Sequence, residues 1–195
     1  MSFRYFVLNK PVGMESQFVS PYAGDLLGDL DFEFPEGTHA IGRLDKYSEG
    51  LLLLTTNKKI TALLFQSKTP HKRTYLVQVK HKVSPESLEA LRTGISIRIR
   101  GGGHYTTPPC EVHIVDEPEN YIPHIHEINH HVKSTWLTIT LMEGKFHQVR
   151  KMVLAVRHKC IRLIRLSIEE LALGDLPPGN IREMEEEEFF RLLRL

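Results

Sequence analysis

The chain has 195 residues, of which 41% are hydrophobic and 25% charged, and its formal net charge is +1. That length buries a real core and allows one large domain or two small ones, in a composition typical of soluble globular proteins. No apolar run approaches the roughly 18 residues of a membrane span. The N-terminus lacks the apolar core and cleavage site of a signal peptide. The only cysteines, Cys110 and Cys160, stand far apart in no metal-ligand spacing, so a reducing, cytoplasmic setting is expected.

In chain order, Phe3 to Leu8 reads as a first strand, stopped by the turn Asn9-Lys10-Pro11-Val12-Gly13. Met14 to Thr38 is acidic and loop-like. Gly42 to Gly50 is turn-like and runs into the apolar stretch Leu51 to Leu54, a buried strand by its composition. Asn57 is a plausible N-cap for a short helix from Lys58 to Ser67 that presents Ile60, Leu63 and Leu64 on one face. Thr74 to Val79 is a strand of high β-propensity. Ser84 and Pro85 mark a helix start, and Gly94 its end. Ile95 to Arg100 alternates as a half-buried strand, Gly101-Gly102-Gly103 is a turn, and Cys110 to Val115 is a further strand.

Glu117 to His131 reads as an irregular insertion carrying His124, His126, His130 and His131; no cysteine or catalytic glutamate motif completes a metal site there, and none is expected. Thr135 to Leu141 is a clear strand. Lys145 to Val156 has helical spacing, with Val149, Met152, Val153 and Val156 facing a core and Arg150 half-buried beside them. Cys160 to Ile168 is a strand, Leu176 to Gly179 a turn, and Glu185 to Leu195 an acidic amphipathic helix.

The small net charge hides a segregation. Lys58 to Lys82 holds seven cations and no acid, and Lys133 to Arg165 holds eight against Glu143 alone; Glu15 to Glu36 carries six acids and no base. Two basic blocks on an acidic body form the footprint of a polyanion-binding protein, nucleic acid being the foremost class. Asp45 lies between Arg43 and Lys46 at the lip of the Leu51 to Leu54 strand. On its own it reads as a loop acid paired with Arg43, but cations beside it also suit a carboxylate held ionised for nucleophilic or base chemistry. With Tyr75 as an aromatic platform and Arg150 as a half-buried cation, the set suits an enzyme acting on a base drawn out of an RNA stack.

Gly42-Arg43-Leu44-Asp45, followed by Ser48-Glu49-Gly50-Leu51-Leu52-Leu53-Leu54-Thr55, resembles the signature of the RsuA-type ribosomal RNA pseudouridine synthases. Asn9-Lys10-Pro11-Val12-Gly13, Thr74-Tyr75-Leu76-Val77, Glu143 to Met152 and Leu173 to Gly179 resemble that family's other motifs, in order. The resemblance implies an α+β fold, with a mixed, largely antiparallel sheet, flanking helices and a central basic cleft. It implies a single catalytic domain over 1–195, of the RluE-like subgroup without an S4 domain. It implies Asp45 as the catalytic carboxylate, Arg150 as its partner and Tyr75 stacked on a flipped uracil. Lys10, Arg43, Lys145, His147, Gln148 and Lys151 are the expected RNA-binding residues. Attack at ribose C1′, attack at uracil C6 and a glycal route all stay open. The expected substrate is ribosomal RNA, of the large subunit in that subgroup, with no cofactor, no metal, no membrane partner and a monomeric, cytoplasmic protein. Arg157 stands where the family usually has glycine. An idle RNA-binding factor on the same fold, or a metal-dependent enzyme built on the histidines, are the competing readings.

Overall fold

Tyr5-Phe6-Val7-Leu8-Asn9-Lys10 forms the first strand, β1 (Tyr5–Lys10), and all six residues are buried, so the strand is covered on both faces. The computed structural model describes residues 2–65, 69–123 and 133–195. The four histidines at 124, 126, 130 and 131 lie outside the described residues. The chain divides into two compact units, the first made of 1–71 and 164–195 and the second of 72–163.

In the first unit, β1 pairs antiparallel with β3 (Glu49–Thr55) from Tyr5↔Thr55 to Lys10↔Gly50. On its other edge β1 pairs with β11 (Ile181–Met184). The free side of β3 is shared. Its end takes β2 (His39–Ile41) antiparallel, while Glu49 and Gly50 take the second half of β9 (Cys160–Ile168) in parallel. A two-residue strand, β10 (Leu171–Ala172), turns back on β9. Phe6, Leu8, Leu52 and Leu54 point to one face of this sheet. There the acidic segment 14–38 packs Met14, Leu27, Phe18, Phe32 and Phe34 against them, so a stretch without regular strands is nonetheless core. Tyr5 faces the other way, 4.7 Å from the Phe189 ring of α4 (Glu186–Leu193), and its hydroxyl donates to Glu186. The short helix α1 (Ile60–Phe65) buries Ile60 and Leu64.

The second unit is built on β4 (Arg73–Lys80), β8 (Ser134–Leu141) and β7 (Glu111–Val115), in the antiparallel order β4-β8-β7. A hairpin, β5 (Ser96–Arg98) and β6 (His104–Thr106), closes through the glycine turn. Two helices, α2 (Pro85–Thr93) and α3 (Gln148–Ala155), complete it. Leu91 from α2 and Val149, Met152 and Val153 from α3 join Val77, Leu137 and Ile139 in one core. The Ser84 hydroxyl accepts from Ser87 N at 3.2 Å, so the N-cap read from the sequence is present.

The α+β class and its predominantly antiparallel pairing agree with the sequence reading. One helix differs. Lys145 to His147 is not helical, because His147 takes a left-handed φ of 54° and α3 begins only at Gln148. Arg157 also adopts a left-handed φ, 67°, the conformation that a glycine takes without steric cost. Among the described residues, no helix is long and apolar enough to cross a membrane.

Candidate active site

The turn that carries Asp45 is pinned on both sides of that residue. Ser16, itself buried, donates through Oγ to Leu44 O at 2.8 Å, and the same Oγ accepts from Leu44 N at 3.0 Å. The Lys46 carbonyl accepts from Gly13 N at 2.9 Å and from Lys10 Nζ at 3.4 Å. The Asp45 carbonyl accepts from Ser48 N at 2.9 Å, which closes the turn. Leu44 is driven into the first core. With its neighbours fixed, Asp45 remains half-buried, its carboxylate on a frame that leaves the backbone little freedom. Gly42 enters the turn at φ 72°, and a Cβ there would meet the Phe65 ring at 2.7 Å.

Lys10 lies beneath this turn and is 0% exposed. Its ammonium donates to three carbonyls: Met14 O at 2.7 Å, Pro11 O at 2.8 Å and Lys46 O at 3.4 Å. Lys10 was expected among the RNA-binding residues, but this arrangement removes it from direct contact with a phosphate. Its role is to tie the Pro11 to Met14 loop to the Asp45 turn. Burial lowers its pKa to about 8, and the charges of Glu49 and Asp45 offset part of that effect.

This pKa has a consequence for stability. The folded value lies below the ordinary lysine value of 10.5. The unfolded chain therefore holds more protons between those two pH values, and this group's contribution to stability rises across that window and is lost as pH falls through 8. Half-buried Cys110 and Cys160 act in the opposite sense, because desolvation raises both thiols to about 11, so their contribution falls as pH rises from about 9. The comparison that isolates Lys10 is with Lys10→Met. From pH 8 to 9 the wild type should gain about 1 kcal/mol in urea unfolding relative to the variant. Parallel pH profiles for the two proteins would show that the amine is not buried in this way.

Tyr75 sits in β4 opposite Ile139 of β8, half-buried against the second core. Arg150 is in the first turns of α3, half-buried beside Val149, and its charge partly opposes the rise in the Cys160 pKa. The segment before α3 is braced by side chains. Glu143 accepts from Tyr105 Oη at 2.6 Å and from Gln148 Nε2 at 2.7 Å, and Gln148 Oε1 accepts from Lys145 N at 2.8 Å. Gln148 is therefore a second correction to the expected RNA-binding set: it is buried and both ends of its amide are used within the protein. Arg43 and Lys145 are exposed, and His147 and Lys151 are partly so, which suits a surface that meets a polyanion. The sequence reading missed Ser16 and Tyr105, which support these segments from distant positions and belong to no short motif.

The sequence pattern of the RNA pseudouridylate synthase family matches residues 4–155. A ribosomal large subunit pseudouridine synthase E from Vibrio parahaemolyticus serotype O3:K6 is 34% identical over 186 residues, covering 93% of this chain and 74% of that protein. The protein of the same name from Xanthomonas axonopodis pv. citri is 33% identical over 174 residues, covering 88% of this chain and 89% of its own. A crystal structure of a pseudouridylate synthase, 27% identical, aligns with a TM-score of 0.77 over 98% of this chain and 74% of that one.

Proposed function

This chain belongs to the RNA pseudouridylate synthase family, and from that premise we propose that it isomerises a uridine of large-subunit ribosomal RNA with Asp45 as the catalytic carboxylate. The reaction breaks the N1–C1′ glycosidic bond and joins C1′ to C5 of the same uracil. The C5 proton leaves and N1 gains one, so the product is an isomer and no oxidant or second substrate is consumed. A positioned carboxylate suits such a step because it can act as nucleophile or base without a cofactor. The observation that carries the reading is the framing of Asp45: Leu44 and Lys46 are held by the Ser16, Gly13 and Lys10 bonds while Asp45 between them is only half-buried. Pre-set geometry of that kind is what a reacting group needs.

Tyr75 stacks on the extruded uracil, and Arg150 supports the ionised Asp45. Arg43, Lys145, His147 and Lys151 contact the RNA backbone. The match to the family across residues 4–155 includes parts of both units, which supports treating 1–195 as one catalytic domain. The two cysteines, both free, are consistent with a reducing cytoplasm, where the protein acts as a monomer. The test is direct. Unmodified ribosomal RNA incubated with the purified protein should gain pseudouridine at a discrete position, and RNA from cells lacking the protein should lack it there. An absence of new pseudouridine in the first experiment, together with unchanged RNA in the second, would refute the activity.

A further inference from the structure

Phe146 is an apolar residue held out in solvent, with 61% of its surface exposed. Its ring lies parallel to that of His147, with centroids 3.8 Å apart and planes inclined by 17°. Consecutive side chains stack in this way here around an unusual backbone, since His147 sits at φ 54°, a region that costs a non-glycine residue about 1–2 kcal/mol. The segment is not loose. Glu143 is held by Tyr105 and Gln148, Gln148 holds the Lys145 amide, and Lys151 N donates to His147 O at 3.0 Å. Two cations stand at the same place: Lys151 Nζ lies 5.2 Å from the Phe146 centroid, and Lys145 Nζ lies 4.9 Å from that of Tyr105. The one acid of the segment, Glu143, already accepts from two donors.

We propose that the Phe146–His147 stack is a nucleobase platform, which receives a second unpaired base of the substrate RNA, distinct from the uridine that reacts. Every base has a π-face, so an exposed, rigidly presented ring accepts one with little regard to sequence. Lys145 and Lys151 supply the charge for the phosphates on either side of that base. The strained backbone and the braced loop find their use in such a site, where geometry is fixed before the ligand arrives. The platform explains why a phenyl ring stays in water instead of joining the second core a few residues away. The proposal rests on the RNA-modifying reading above.

The probes are a fluorescent uridine oligomer of about 12 nucleotides and the same ribose-phosphate chain without bases. Phe146→Ala and Phe146→Leu should each weaken binding of the oligouridylate by about 5- to 150-fold, the range for loss of one stacked base. Both variants should bind the abasic chain as the wild type does, and Phe146→Tyr should bind both probes as the wild type does. The urea midpoints of all three should match the wild type, because the ring contributes to no core. In turnover, Phe146→Ala should raise KM and leave kcat unchanged, as expected for a base away from the reacting atoms. Three results would overturn the platform: unchanged affinity in Phe146→Ala, wild-type affinity in Phe146→Leu, or an equal loss on the abasic chain. A fall in kcat instead of a rise in KM would overturn the assignment to a second base. Should the wild type form no pseudouridine while the Phe146-dependent preference for bases persists, the isomerase reading fails and the platform stands. Should pseudouridine form with Phe146→Ala binding as the wild type does, the platform alone fails.

Discussion

Asp45→Asn is expected to lose pseudouridine formation by at least the factor of about 10²–10⁴ associated with a positioned proton-transferring group. Asparagine has nearly the same shape, and the bonds that frame the turn involve the backbone of Leu44, Asp45 and Lys46, so the fold should persist. RNA binding should persist as well, because the substitution removes a negative charge from a protein that meets a polyanion. Release of tritium from RNA labelled at uracil C5 reports the chemical step, and filter binding at fixed salt reports the complex. A variant that releases tritium at more than about a tenth of the wild-type rate would remove Asp45 from the chemistry. A variant that neither binds nor folds would place the residue in the structure instead.

Gly50→Ala should be the most damaging conservative substitution in the first unit. Gly50 has φ 94°, and a Cβ built on it would lie 2.5 Å from Arg165 O and 2.8 Å from Arg165 N. Those are backbone atoms of β9, paired in parallel with Gly50 itself, and cannot turn aside as a flexible side chain would. The backbone conformation costs about 1–2 kcal/mol and the overlap about 1–3 kcal/mol more. Their sum is a large share of the 5–15 kcal/mol that ordinarily holds a domain together. The melting temperature should fall by on the order of 10 °C. Gly13→Ala is the matched control. Its φ is 88° but nothing lies within 4 Å of the added carbon, so only the conformational part should be felt. Equal melting temperatures for the two variants would mean that the close approach of β9 to Gly50 has no energetic weight.

Local signals in the chain are legible where the fold follows local rules. Ser84 and Pro85 opened α2, and the strand over Cys160 to Ile168 appears with those bounds. The apolar run Leu51 to Leu54 lies within β3. What was illegible depends on distant partners. Ile181 to Met184 has no alternation that marks a strand and becomes one by pairing with β1. Leu30, Phe32 and Phe34 alternate with Asp31 and Glu33 as a strand would, yet they form none and instead cover one face of the β1–β3 sheet with Phe18. Lys10 reads as a surface lysine at a strand end. Only the convergence of carbonyls from Pro11, Met14 and Lys46 makes its burial tolerable, and Lys46 is remote in sequence. The helical spacing from Lys145 onward hid the left-handed residue that delays α3, and with it the ring that Phe146 presents.

The pairing of β3 with β9 also bears on how the protein is made. Arg165 Nε donates to Leu51 O across 114 residues of chain, and the whole second unit lies between them. At synthesis rates of about 5–20 residues per second, Leu51 leaves the ribosome's catalytic centre roughly 5–25 s before Arg165 is added. During that interval β1 and β2 can pair with β3, but Glu49 and Gly50 wait with an open edge. The strand that anchors Asp45 is therefore completed only after the whole second unit has been synthesised, and a nascent chain stalled earlier would carry the motif without the scaffold that aims it.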